Sequence, residues 1–157
     1  MAVRGDIDGL KKLADRVRQL TTAGFRTELA QVLGAAAKKQ VADEFLQSRD
    51  PYGKPWEPLA WRKGKPLLDT GRMRNSVAVE SRPNGFKLSI ATVYAPIHQA
   101  GARVRAARVA RSRGKVGRIP QRQMVPEAST GGLGPIWLAA FNREAESLLR
   151  RRLTRAA

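Results

Sequence analysis

Residues 77–90 read Val77-Ala78-Val79-Glu80-Ser81-Arg82-Pro83-Asn84-Gly85-Phe86-Lys87-Leu88-Ser89-Ile90. Val77 and Val79 stand two apart, as do Phe86, Leu88 and Ile90, so one face of each run is apolar. That period of two predicts strands over 77–82 and 86–93. Between them Arg82-Pro83-Asn84-Gly85 carries an Asn-Gly step, which predicts a hairpin turn. Helical patterns stand further out on both sides, so the fold class follows from how this hairpin is flanked.

Upstream, residues 67–77 predict a short helix capped by Asp69 or Thr70, with Met73 and Val77 facing inward. Before it, 48–66 breaks every regular pattern. Asp50-Pro51-Tyr52-Gly53-Lys54-Pro55-Trp56 is turn chemistry, and Trp56 and Trp61 are expected to pin the loop over the edge of the core. Residues 25–47 place Leu29, Val32, Leu33, Ala36, Ala37, Val41, Phe45 and Leu46 on one broad helical stripe. The small residues of 34–37 suggest that another helix comes close there. Residues 6–20 predict a first helix through Ile7, Leu10, Leu13, Val17 and Leu20, ended by Thr21-Thr22-Ala23-Gly24. The two helices are expected to pack as a hairpin over 1–48.

Downstream, 94–101 leaves the second strand. From Arg103 to Arg122 the chain then carries Arg103, Arg105, Arg108, Arg111, Arg113, Lys115, Arg118 and Arg122 with no acid among them. Ala, Gly and Val fill most of the remainder, too little apolar surface to order the segment alone. It is expected to be a long loop or extended hairpin, a basic arm over 102–122 within a sheet region of 77–125, ordered by a partner. Residues 120–126 return to the body with Met124 and Val125 as core candidates. A last helix over 136–155 is predicted from Trp137, Leu138, Phe141, Ala145, Leu148, Leu149 and Leu153, and the arginines at its end suit the helix dipole. The result is one α+β domain over 1–157: an N-terminal helical hairpin, a small antiparallel β-sheet with a long basic arm, and a C-terminal helix.

At 157 residues the chain is the size of a single domain. Thirty Lys and Arg against thirteen Asp and Glu give a net charge of +17. Self-repulsion on that scale calls for a polyanion or an acidic partner to offset it. Arginine outnumbers lysine, which suits bidentate contacts to phosphate or carboxylate.

Catalytic readings find little. With no cysteine there is no disulfide framework, thiol nucleophile or Cys-based zinc site, and His98 is the only histidine. Asp69-Thr70-Gly71 has the letters of an aspartic-protease signature. Arg72 and Arg74 follow it, however, and two cations would hold the carboxyl ionised where a catalytic pair must share a proton. There is no Gly-x-Ser-x-Gly elbow, Walker loop or cluster of magnesium-binding carboxylates. No catalytic residue, metal or cofactor is expected, and the chain is read as a non-enzyme. Neither a membrane-spanning run nor an export signal is visible.

Three blocks together carry a resemblance. Phe45-Leu46, followed by Asp50-Pro51-Tyr52-Gly53-Lys54-Pro55-Trp56, is the first. Leu67-Leu68-Asp69-Thr70-Gly71-Arg72-Met73-Arg74-Asn75-Ser76 is the second, and Tyr94-Ala95-x-Ile97-His98-Gln99-x-Gly101 the third. In this order they resemble the phage virion morphogenesis family, typified by tail-completion proteins of Mu-like phages. The resemblance runs over roughly 25–155.

It implies a structural virion protein that forms a ring, six-fold like the tail, at the neck where head and tail join. The implied partners are sibling subunits, head connector or adaptor proteins, and the tail tube or tail terminator. The implied location is the virion neck, with the host cytoplasm during assembly. Asp50, Pro51, Gly53, Trp56, Asp69, Thr70, Gly71, Arg72, Tyr94, His98, Gln99 and Gly101 are then structural or interface residues. The arm's eight cations face packaged double-stranded DNA or an acidic connector surface, about 48 of them in a six-fold ring. The alternative from another class is a basic, non-specific nucleic-acid-binding protein associated with ribosome or nucleoid. It accounts for the charge but not for the Asp50–Trp56 loop.

Overall fold

The computed structural model describes residues 22–59, 63–104, 117–127 and 132–155, together with 11, 14, 15 and 18. The predicted first helix and Trp61 lie outside the described residues, except that Lys11, Ala14, Asp15 and Arg18 are helical. The packing of the predicted helical hairpin's first arm against its second therefore lies outside them too.

Helix α1 (Ala23–Gln47) begins two residues before its predicted start. Thr22, expected in the linker, is its N-cap: the hydroxyl accepts from the Phe25 N–H at 3.3 Å, satisfying one donor that the first turn leaves open. At the far end Ser48 adopts a left-handed conformation and its N–H returns to the Glu44 carbonyl.

The short helix α2 (Arg72–Asn75) leads into β1 (Val77–Arg82), which pairs antiparallel with β2 (Gly85–Ile90) in the register Val77↔Ile90 to Arg82↔Gly85. The hairpin stands where the period-two pattern put it, except that β2 ends at Ile90, three residues short of its predicted end. Its turn is centred differently: Pro83 and Asn84 are the two loop residues, Asn84 keeps a negative φ, and Gly85 already belongs to β2. Proline at the first loop position sets a negative φ, so the primed turn of an Asn-Gly centre is not formed. Helix α3 (Ala95–Ala100) follows, with Pro96 in its first turn. Strands β3 (Ala102–Val104) and β4 (Gly117–Ile119) form a second antiparallel ribbon, separate from the first. The expected single sheet is thus two hairpins. Helix α4 (Pro135–Arg155) closes the described chain. The class is α+β as expected.

Helix α1 contacts both strands of the first hairpin and α4. At Gly34 the close approach is made by the strands, where a helix was expected. A Cβ at Gly34 would lie 2.6 Å from Val79 Cγ1 and 3.4 Å from Phe86 Cβ. Ala37, Val41, Phe45, Trp56, Met73, Val77, Ala95, Met124 and Trp137 form the buried cluster. Edge-to-face ring pairs Phe45–Trp56, Phe86–Phe141 and Trp137–Phe141 tie the loop, hairpin and last helix into it.

One acid is inside. The Glu44 Oε1 accepts from the Trp137 indole N–H at 2.5 Å, while Oε2 has no hydrogen-bond partner among the described residues. Burial pushes this carboxyl up to about 8, against smaller opposing effects of the indole bond and the Arg49 charge.

Candidate functional site

The first and third sequence blocks bond to one segment, the return strap of residues 119–127, and the second lines a cavity with its Arg122. The first block is preshaped by Asp50. Its Oδ1 accepts from the Tyr52 N–H at 2.9 Å and the Lys54 N–H at 2.8 Å, and its own N–H donates to the Lys54 carbonyl at 2.8 Å. This closed turn requires a positive φ at Gly53, +91°. Pro51 is buried, and the Tyr52 hydroxyl donates to the Gly132 carbonyl at 2.8 Å. The turn delivers Trp56 into the core, as expected. The indole N–H donates to the Gln123 carbonyl of the strap at 3.0 Å.

The third block grips the strap from the other side. Gln99 is the centre of that grip. Its amide N–H groups donate to the Val125 carbonyl at 2.8 Å and to Glu127 Oε1 at 2.7 Å. Its Oε1 accepts from the Met124 N–H at 2.8 Å and the Val125 N–H at 3.3 Å. A primary amide offers two donors and an acceptor with two lone pairs, and all are used. The backbone adds the Arg122 N–H to the His98 carbonyl at 2.7 Å. At Gly101 the chain turns into β3 with φ +74°, and a Cβ there would lie 3.0 Å from the Gln121 nitrogen. Positive φ and close backbone approach both call for glycine.

Arg122, counted with the arm in the sequence, belongs to the body. It is buried, 5% exposed. Its Nε and Nη2 donate to the Glu57 carbonyl at 3.1 and 2.9 Å, and Nη2 reaches the Pro58 carbonyl at 3.3 Å. Its charge is therefore spent on the loop that follows Trp56 and is withdrawn from any partner of the arm. A run of cations gives no sign of which member turns inward.

Arg103 and Arg118 are exposed and stand directly opposite each other in the β3–β4 ribbon. Like charges in that relation destabilise a ribbon. No ion pair among the described residues compensates either one. Arg105, Arg108, Arg111, Arg113 and Lys115 lie outside the described residues.

The second block meets the third across a cavity of about 280 Å³ lined by Asp69, Thr70, Gly71, Arg72, Met73, Tyr94, His98 and Arg122, among others. Gly71, at φ +72°, holds the N-cap position of α2 that Asp69 or Thr70 was expected to fill. Thr70 contributes a weaker contact, its hydroxyl accepting from the Arg72 N–H at 3.4 Å. The exit is satisfied by Ser76, whose hydroxyl donates to the Met73 carbonyl at 2.8 Å. Tyr94 and His98 meet edge to face at 6.2 Å. Burial, helped by the Arg122 charge, holds the imidazole below its ordinary pKa, and its Nδ1 is enclosed without a hydrogen-bond partner among the described residues.

Sequence reasoning brought the right blocks forward but not their joint task. Gln99, Arg122 and Gln123 bond partners 25 to 67 positions away, and such long-range pairs leave no local period to find. Among the described residues no group of three metal-ligating side chains occurs, and no helix is long and apolar enough to cross a membrane.

The model of the phage virion morphogenesis family matches residues 6–135, most of the chain. No curated protein and no solved structure matches it.

Proposed function

Because the chain belongs to the phage virion morphogenesis family, we propose that it is a structural, non-catalytic subunit of the neck. In this reading it forms a six-fold ring that completes the tail and joins it to the DNA-filled head, as in Mu-like tail completion. Its neighbours are sibling subunits, connector or adaptor proteins above, and the tail tube or terminator below.

The observation that carries the proposal is the Arg103↔Arg118 pair, with no compensating ion pair among the described residues, at the root of an acid-free arm. The root is clasped to the body by Trp56, Gln99 and the His98 carbonyl. Two like charges on directly paired residues cost stability in an isolated subunit, and an anion bound by both reverses the sign. A rigid body presenting a cationic arm is what a subunit needs if it is to dock on an anionic surface during assembly. With Arg122 withdrawn, seven cations per subunit remain, about 42 around a six-fold ring, enough to hold DNA in a channel without reading its sequence. Packaged DNA and an acidic connector face are the two surfaces that fit.

Deleting the gene from the parent phage tests the proposal. The expected result is filled heads and separate, unjoined tails, restored to whole particles when the chain is supplied. Normally joined particles without the chain overturn it.

A further inference from the structure

At the base of the β3–β4 ribbon, Arg103 and Arg118 are paired residues on adjacent strands, so their side chains leave the same face with Cβ atoms about 5 Å apart. Both line one open cavity of about 430 Å³, together with Gly101, Ile119 and Gln121. No carboxylate is among its described lining residues. Neither guanidinium has an ion pair or a hydrogen bond among the described residues, and neither does the Gln121 amide. Arg118 also borders a neighbouring cavity with Asp50 and Glu57. Asp50 is engaged in its own turn, its Oδ1 accepting from the Tyr52 and Lys54 N–H groups, and the Glu57 charge acts on Arg122. The base is fixed to the body. A Cβ at Gly101 would lie 3.0 Å from the Gln121 nitrogen, and the Arg122 N–H donates to the His98 carbonyl at 2.7 Å. The backbone that carries both arginines is therefore set before any ligand arrives, which lowers the cost of binding one.

We propose that this base is a phosphate site, in which Arg103 and Arg118 close together on the phosphates of a nucleic-acid backbone and the Gln121 amide donates beside them. A phosphodiester keeps two free oxygens and can accept from two guanidiniums at once. A single guanidinium fork takes both oxygens of a carboxylate and leaves the opposite arginine without a partner. The surroundings point the same way. A protein interface is built on an apolar centre inside a polar rim. None of the large exposed apolar residues, Leu46, Val93, Ile97, Leu133, Leu138 and Leu153, lines this cavity, which favours a phosphate backbone over an acidic protein face. Such contacts position the backbone and read no bases. The inference deepens the neck reading, and only the identity of the nucleic acid as packaged DNA rests on it. Phosphate binding is measured on the isolated chain and the neck role in the phage, so the two can fail separately.

The Nε–Hε resonances of Arg103 and Arg118 report the site, each assigned by its loss in Arg103→Gln or Arg118→Gln. Both residues are exposed, so these variants keep the core. Inorganic phosphate, a short DNA duplex and a glutamate decapeptide are titrated separately into the full chain at constant ionic strength. Arg150 and Arg151, exposed near the end of α4, are the internal controls. The inference expects both reporters to shift saturably with inorganic phosphate and to share one dissociation constant, on the order of millimolar. The controls should shift less and not saturate. The duplex should act on the same two resonances at lower concentration than the decapeptide does. Arg118→Gln should weaken phosphate binding at Arg103 about tenfold. An unsaturable response, one no larger than that of Arg150 and Arg151, or unchanged binding in Arg118→Gln overturns it. A stronger response to the decapeptide than to the duplex assigns the base to an acidic protein and also overturns it.

Discussion

Glu44→Gln is expected to stabilise the protein at neutral pH. In the fold Glu44 is 3% exposed, one oxygen accepts from Trp137 and the other has no hydrogen-bond partner among the described residues. Its carboxyl rises from 4.5 to about 8. A carboxyl raised by folding leaves the native state with more bound protons than the unfolded chain, so stability falls as pH rises between about 4.5 and 8. At about 1.4 kcal/mol per pH unit, the loss between pH 4.5 and pH 7 is about 3 kcal/mol, and it levels off near 5 above pH 8. Glutamine keeps an oxygen for the indole and does not ionise in either state. Urea unfolding of both proteins at pH 4.5, 7 and 8.5 measures this. The variant should match the parent at pH 4.5 and exceed it by about 3 kcal/mol at pH 7, with the parent's pH slope flattened. A variant no more stable than the parent at pH 7 and 8.5 refutes the reasoning.

Other substitutions probe the clasp and the arm. Gln99→Ala removes four hydrogen bonds to the strap and should cost about 2–4 kcal/mol in urea unfolding, with earlier amide exchange at Met124 and Val125. Gly101→Ala forces a side chain onto φ +74° against the Gln121 backbone and should cost at least about 1–2 kcal/mol, read as a lower melting temperature. Arg103→Gln with Arg118→Gln should raise stability in low salt, since it removes like charges facing each other. If the arm holds DNA, the same pair should lower duplex affinity and make the log–log salt slope shallower by about 2. Unchanged DNA binding assigns the arm to an acidic protein surface.

The elements legible in the sequence are those with sustained local periods. The alternation at Val77–Val79 and Phe86–Ile90 located the first hairpin, and the apolar stripes located α1 and α4 within two residues. Turn centring failed because Asn84-Gly85 outweighed Pro83 in the reading, whereas proline's fixed φ decides the geometry. Three-residue strands such as β3 and β4 are too short to show a period. The partner of Gly34 was misjudged because small residues admit a strand as readily as a helix. Of the candidate site, Gly53 and Trp56 were legible through turn chemistry, while Gly71 and Gly101 came forward only with the family resemblance. The inward Arg122 and the Gln99 clasp were not, because their partners are set by tertiary approach. Composition showed how much charge the arm carries and gave no account of where it is rooted.

A cryo-electron microscopy map of the virion neck tests the central claim most directly. The account predicts this chain as a six-fold ring between connector and tail tube, with residues 103–118 seated on DNA or on an acidic neighbour. A finished virion whose neck lacks the chain contradicts it.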